Sequence, residues 1–492
     1  MDEEMNALID NDTFELTKTP EDRSVVGGKW VYNVKLGLNG EEKFKARYVA
    51  KGYSQIQSVD YNETFSPTAR ITSIRMLVQL VSQNNWLIHQ MDVKTAYLNA
   101  DIDCEIYVDQ PEGFSKTNDK GEKLVWKLKK SLYGLKQSGR NWNNMLHKFL
   151  LQENFVQSFA DPCLYTKFVN DSRIVIIIWV DDILIATDNE EKLCDVKRAL
   201  CDKFKMKDMG RLSWFLGIEF SFEKDCIIMN QTKYLEKVLK RFKMSDCKPK
   251  AVPCDLSVNK MIDESEQLID ARLYREIVGS LIYVMTGTRP DLCYVVSKLS
   301  QYMAKPTKAH LNLAKHCLKY IKGTLKYGLK FQKSDKLKLF GFCDADWGAS
   351  EDRYSISGYS FQLSSNGPLI SWKSRKQRTV ALSSCEAEYV ALTDVMQEAK
   401  FLRQLFADMS GSNKDCVTVY ADNQGAIALA KNPVHHQRSK HIDIRYHFIR
   451  SEITNGVVVL YYVPSEENVA DIFTKAVSKF KLNKFAIIRG VT

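Results

Sequence analysis

Two adjacent aspartates, Asp181 and Asp182, close the seven-residue apolar run Ile174–Val180 in "RIVIIIWVDDILIATDN". A buried strand tolerates two charges only where something cationic or hydrogen-bonding receives them. The segment reads as a hairpin, with strands Ile174–Val180 and Ile183–Thr187 and Val180-Asp181-Asp182 at its tip. Carboxylates carried rigidly in this way suit a hard cation, because Mg²⁺ prefers oxygen ligands. One hairpin cannot complete such a site. "LIHQMDVKTAYLN" offers a third carboxylate, Asp92, where a strand-like run gives way to a helical one. Taken alone, each piece reads equally well as a plain turn or a helix cap.

A second acidic set follows. "LKLFGFCDADW" delivers Asp344 and Asp346, and "VTVYADNQ" sets Val417, Val419 and Ala421 on one face, with Thr418, Tyr420 and Asp422 on the other. In "SCEAEYVALTDVMQEAKFLRQLF" the residues Glu388, Leu392, Val395, Ala399, Leu402 and Phe406 recur at spacings of four and three. They form one helical stripe, so Glu388 heads the buried face and Glu386 points elsewhere. An acid there needs a partner, and a metal shared with Asp344 and Asp422 supplies one. Asp471, in the first turn of a helix in "YYVPSEENVADIFTK", comes near enough to join them, although alone it reads as compensation of a helix dipole.

These residues need strands and helices to carry them. The 492 residues suffice for about three domains. Up to about residue 225, strand-like runs such as "WVYNVKL" and "FKARYVAKG" alternate with helical ones such as "TSIRMLVQLVSQNN". A helical, basic stretch follows, containing the polar linker "LSVNKMIDESEQLID", and a second α/β pattern begins at "KLKLFGFCDADW". Lys plus Arg number 70 against 60 for Asp plus Glu, a net charge of +10 that is compatible with nucleic acid. The 12 cysteines form no Cys-x-x-Cys pair, so no zinc finger or disulfide framework is expected. The start "MDEEMNALID" is not a signal peptide, and no apolar run approaches the roughly 20 residues that span a bilayer. These features predict a soluble intracellular protein.

The segments "KWVYNVK", "KARYVAKGYSQ", "DYNETFSP", "QMDVKTAYLN", "SLYGLKQSGRNW", "WVDDILIA" and "FLGIEF" together resemble the reverse transcriptase of copia-type LTR retrotransposons. "DADW", "SGY", "SSCEAEY", "ADNQGAI", "SKHIDIRYHFIR" and "ENVADIFTK" resemble that family's ribonuclease H domain. The resemblance implies an α+β and α/β multidomain chain, a right-hand polymerase of palm, fingers and thumb followed by a ribonuclease H-like domain. It divides the chain into fingers and palm (1–225), thumb and connection (226–335), ribonuclease H-like domain (336–480) and tail (481–492).

It further implies two Mg²⁺ ions, replaceable by Mn²⁺, at each of two sites. Asp92, Asp181 and Asp182 hold one pair for nucleotidyl transfer, and Asp344, Glu388, Asp422 and Asp471 hold the other for hydrolysis of RNA in an RNA–DNA hybrid. Lys45 and Arg47 match the cations that grip the nucleotide triphosphate, and Tyr97 matches the ring that excludes a 2′-hydroxyl. Gly134 and Ser138 match the template and nucleotide contact, and Leu216-Gly217 the primer grip. Lys237, Lys240 and Arg241, with Lys233, lie on a thumb-like helix that follows phosphates, though a solvated basic face is the commoner meaning of such a run.

The implied partners are an RNA template, a DNA or tRNA primer, the hybrid, dNTPs and other pol products such as integrase. The implied place is a cytoplasmic virus-like particle, with the nucleus as an alternative, and no membrane. His441 and His447 are expected to pack or to touch nucleic acid. Two departures stand out: Trp179 where the family has Tyr or Phe, and Gly139 where it has Pro or Ala. With no protease, integrase or nucleocapsid signature, the chain reads as a fragment, a processed product or a truncated copy. The competing reading is an impaired remnant that only binds nucleic acid.

Overall fold

The computed structural model describes residues 1–36, 42–256, 258, 270–350, 352–412, 414–431 and 443–488. His441 and most of the expected linker lie outside them. The chain divides into two compact units, residues 1–69 with 87–211 and residues 70–86 with 212–492.

The first unit is organised by a six-stranded sheet. Its order is Met206–Arg211, Leu87–Val93, Asp182–Thr187, Ser172–Trp179, Leu164–Val169 and Val156–Gln157. Each pairing is antiparallel. Ile174 to Ile178 are all buried. Successive side chains point to opposite faces, so five consecutive buried residues mean that both faces of this strand are covered. Burial of those side chains is worth roughly 8–15 kcal/mol as an upper bound. That is ample to hold a polar tip in place. The strands Gly28–Leu36 and Glu42–Ala50 form a separate hairpin, which sets Lys45 opposite Asn33 and Arg47 opposite Val31. A second sheet joins Phe14–Lys18, Leu124–Leu128, Tyr107–Val108 and Val25–Val26.

The second unit holds the helices Thr232–Arg241, Arg272–Gly287, Cys293–Ser300 and Lys308–Gly323, packed through Leu235, Ile277, Leu281, Val296 and Leu318. The helix Ile71–Asn84 belongs here although its neighbours in sequence lie in the first unit. Arg75 fixes it. Its buried guanidinium donates to the carbonyls of Thr286 (2.9 Å) and Gly287 (3.1 Å) and stacks on Trp372 at 3.8 Å.

The unit's mixed five-stranded sheet has the order Leu369–Lys376, Ile356–Gln362, Phe340–Asp346, Val417–Ala421 and Val458–Tyr462. The first three strands are antiparallel, and the last two join in parallel. The 27-residue helix Ser384–Ser410 packs on this sheet, capped by the Ser383 side chain on the Glu386 N–H and ended by left-handed Gly411. Residues 481–488, expected as part of a tail, continue the helix Lys479–Ile488, whose Leu482 and Phe485 are buried. No described helix is long and apolar enough to cross a membrane.

Gly139 lies in the first turn of the helix Ser138–Gln152. A Cβ there would meet the Ser66 side chain at 3.5 Å and the Tyr97 hydroxyl at 3.9 Å, ordinary contacts. Gly139→Ala should therefore stabilise the chain by about 0.5–1 kcal/mol through helix propensity and a stiffer unfolded state. Urea denaturation checks this, with an unchanged or lowered midpoint as the contrary result.

Candidate active sites

In the first unit Asp92, on Leu87–Val93, pairs in register with Asp182, on the adjacent Asp182–Thr187. Asp182 therefore begins a strand and does not share the tip. The loop is only Val180-Asp181, since Trp179 and Asp182 close the ladder. Like charges directly opposite one another in a sheet destabilise it. Gln90 offsets part of this by donating to the Asp182 carboxylate at 2.8 Å. The Asp181 carbonyl accepts the Val93 N–H at 2.9 Å, which ties the loop to the neighbouring strand.

Asp92 and Asp181 line a cavity of about 500 Å³ together with Lys45, Arg47 and the acidic first turn of the helix Asp2–Asp10. Acids and cations thus line one space, Asp2, Glu3, Glu4, Asp92 and Asp181 with Lys45, Arg47 and Lys94. The Arg47 guanidinium sits over the Tyr133 ring at 4.3 Å, and Tyr133 packs on Tyr97 at 4.9 Å. Burial, followed by the charge of Asp181, raises the Tyr97 hydroxyl above the ordinary phenol value. The Tyr97 side chain is half-buried. Glu4 is buried against the same cations, and its carboxyl is raised by burial despite Arg47 and Lys45.

The other expected contact residues are placed as follows. The Ser138 hydroxyl is buried and donates to the Leu132 carbonyl at 2.6 Å, so it braces its own turn. Gly134, at φ +93°, lets that turn press on the Ala50 carbonyl. Leu216-Gly217 make a tight turn. Both residues have positive φ and form the tip of a hairpin between Trp214–Phe215 and Ile218–Phe222, with the Tyr283 hydroxyl donating to the Leu216 carbonyl. Lys237 and Lys240 are exposed on the helix Thr232–Arg241, whereas Arg241 pairs with Glu276 at 2.9 Å and Lys233 with Glu219 at 3.6 Å. His447 is exposed on Asp443–Thr454.

The second unit gathers its acids more tightly. Asp344, Asp422 and Asp471 each bring one carboxylate oxygen within 4.8 Å of the others. Asp344 lies on the central strand, and Asp422 directly follows the parallel neighbour of that strand. Asp471 sits in a 3-10 turn, Val469–Phe473, rather than in the expected α-helix. Gly358 lies opposite Asp344, and a Cβ there would come within 2.7 Å of Phe473, so its small size admits this turn. Asn468 holds the turn by capping Ala470 and donating to the Cys343 carbonyl at 2.8 Å. The Thr474 hydroxyl donates to Asp344.

Glu388 accepts the Ala345 N–H at 3.0 Å through one oxygen, while its other oxygen is buried with no hydrogen-bond partner. Burial and neighbouring carboxylates raise both Asp344 and Glu388 well above the ordinary carboxylate range. Lys475 pairs with Asp471 at 3.0 Å, and Lys481 also grips it. Burial alone would depress the Lys475 ammonium, but Asp344, Asp471 and Asp346 hold it above the ordinary lysine value. An all-oxygen set with an unpartnered buried carboxylate fits Mg²⁺.

Sequence reasoning passed over Gln90, Thr474, Lys475, Lys481 and Gly358. Gln90 could have been found two residues before Asp92 on the same strand face, and Lys475 four residues after Asp471.

Residues 11–256 match the family described as "Reverse transcriptase (RNA-dependent DNA polymerase)". The chain belongs to that family. It is 37% identical over 503 residues to the "Retrovirus-related Pol polyprotein from transposon TNT 1-94" of Nicotiana tabacum, covering 99% of this chain and 37% of the relative. It is 37% identical over 495 residues to the corresponding polyprotein "from transposon RE1" of Arabidopsis thaliana, covering 100% and 33%. The "Putative transposon Ty5-1 protein YCL074W" of Saccharomyces cerevisiae is 32% identical over 63% of this chain and 100% of its own length. The chain is thus the reverse transcriptase region of a copia-type pol polyprotein with its ribonuclease H-like domain, and it spans about a third of the plant relatives' length. Among solved structures, the foamy viral protease-reverse transcriptase "in complex with ds DNA" aligns with a TM-score of 0.49 at 12% identity, over 93% of this chain and 68% of that one.

The raised carboxyls of the second unit fix a pH dependence. Asp344 and Glu388 keep their protons to higher pH in the folded chain than in the unfolded one, so the native state binds more protons in that interval. Stability of the metal-free protein should then fall as pH rises from the ordinary carboxylate range through neutrality. Mg²⁺ needs these groups deprotonated, so it should raise Tm more at about pH 8 than at about pH 6. Thermal melts with EDTA or Mg²⁺ test this, and an equal Mg²⁺ shift at both values would contradict the arrangement.

Proposed function

We propose that the chain is an active RNA-directed DNA polymerase that also cleaves RNA in an RNA–DNA hybrid, and so copies retrotransposon RNA into DNA. The observation that carries this reading is the convergence of Asp92, Asp181, Lys45 and Arg47 on one cavity within the region matched to the family. Asp92 and Asp181, with Asp182 beside them, would hold Mg²⁺. When bound, the ions would lower the pKa of the primer 3′-hydroxyl and neutralise charge on the leaving pyrophosphate.

The protein's own residues do the positioning. Lys45 and Arg47 extend from one face of a hairpin and orient the triphosphate of a dNTP, with Arg47 steadied over Tyr133. Tyr97, whose hydroxyl feels the charge of Asp181, would set its ring against a ribose 2′-hydroxyl and leave a deoxyribose unhindered. In the second unit Asp344, Glu388, Asp422 and Asp471 would hold the ions for hydrolysis. Glu388 is oriented by the Ala345 N–H, and Asp471 by Lys475 and Lys481. Lys237 and Lys240 offer exposed cations for phosphates of the template–primer duplex, whether the primer is DNA or tRNA.

Two sites predict separable activities. Asp181→Asn should abolish primer extension on poly(rA)·oligo(dT) while leaving cleavage of a preformed hybrid, and Glu388→Gln should do the reverse. Loss of both activities from either change, with the fold intact, would overturn the assignment.

Tyr97 allows a sharper test. Tyr97→Val should leave dTTP incorporation nearly intact and raise rUTP incorporation, cutting discrimination by roughly ten- to a hundredfold, since one small group in a pocket is worth about 1–3 kcal/mol. Single-nucleotide kinetics with both substrates decide it. An equal loss for both would make the ring merely structural.

A further inference from the structure

The loop that carries Asp181 is strained. Val180 and Asp181 are the two central residues of the hairpin, and of the pair only Val180 has positive φ, at +57°. Positive φ at the first central position alone is the pattern of a type II′ turn, a position that favours glycine. A β-branched residue there is an outlier costing of order 1–3 kcal/mol, and it persists only where its surroundings over-determine it.

The surroundings supply Trp142. This residue, 1% exposed on the helix Ser138–Gln152, packs edge-on against Phe204 and donates its indole N–H to the Val180 carbonyl at 2.7 Å. That carbonyl belongs to the turn's central peptide, and the turn's own cross-strand hydrogen bonds do not use it. Rotation of the central peptide would convert the turn to the I′ type, requiring positive φ at Asp181 as well. The Asp181 carbonyl is already held by the Val93 N–H at 2.9 Å.

We propose that Trp142 is a positioning residue for nucleotidyl transfer. Its N–H locks the central peptide of the catalytic turn and so fixes the direction of the Asp181 carboxylate. The proposal rests on the polymerase reading of this site. Trp142 touches neither nucleotide nor metal in this role, because it acts through the backbone of Val180.

Trp142→Phe keeps an aromatic ring against Phe204 and removes the donor. β-(3-Benzothienyl)alanine at position 142 keeps the whole indole shape without the N–H, and serves if the first variant fails to fold. A net hydrogen bond corresponds to roughly three- to tenfold, so kcat for dTTP incorporation should fall by about that factor, with KM for dTTP unchanged. Repeating the comparison in the Val180→Gly background separates locking from packing. Glycine takes the turn without strain, so loss of the donor should then cost less than about twofold.

An equal loss in both backgrounds, or no loss in either variant, overturns the proposal. A lowered Tm with unchanged kcat would assign Trp142 to packing alone and would also overturn it. If the unsubstituted chain extends no primer, the polymerase reading fails instead. The lock is then still tested by Tm, because Trp142→Phe should lower Tm less in the Val180→Gly background, and an equal drop in both sinks it.

Discussion

Carboxylates brought close together repel, and both units bring them close. In the first, Asp92 and Asp182 lie directly opposite each other on neighbouring strands, with Asp181 on the adjoining loop. In the second, three aspartate oxygens come within 4.8 Å, with Glu388 buried beside them. An isolated buried carboxylate would sooner take a proton than stay charged. The raised Asp344 and Glu388 follow that rule. A hard cation would relieve the same repulsion, and the oxygen donors of both clusters suit one.

The two units answer this constraint with different materials. The first spends apolar strands on it: Ile174 to Ile178 and Ile183 to Ala186 are all buried, and this doubly covered hairpin outweighs the local cost of a β-branched residue at positive φ. Its cations Lys45 and Arg47 line the same cavity as Asp92 and Asp181. The second unit places its lysines in contact with the acid itself, Lys475 and Lys481 both on Asp471. One arrangement sets acids and cations around a cavity, while the other partly neutralises its cluster directly.

Small residues and single hydrogen bonds complete both sites. Gly358 makes room for the Phe473–Thr474 turn beside Asp344, and Arg75 joins a helix from the middle of the first unit's sequence to the second unit's core. Removing a buried donor of this kind costs more than the bond is worth on average, because the acceptor left behind has no water to turn to.

The acids and their elements were legible in the sequence because their signals are local. An apolar run ending in Asp181-Asp182 is a strand ending in charge whatever packs on it, and the 3.6-residue stripe from Glu388 to Leu402 places that acid on a buried face. The same residues suggested two acidic sets, and resemblance gave each set its implied chemistry. Long-range contact decided the rest. Nothing in the spacing of residues 142 and 180 shows that an indole reaches that carbonyl, nor that Ser138 turns its hydroxyl inward, nor that Leu216-Gly217 bends into a tip. Periodicity reports which face of an element is buried. It does not report which atom lies on the other side of the interface, and the direction of the Asp181 loop depends on that atom.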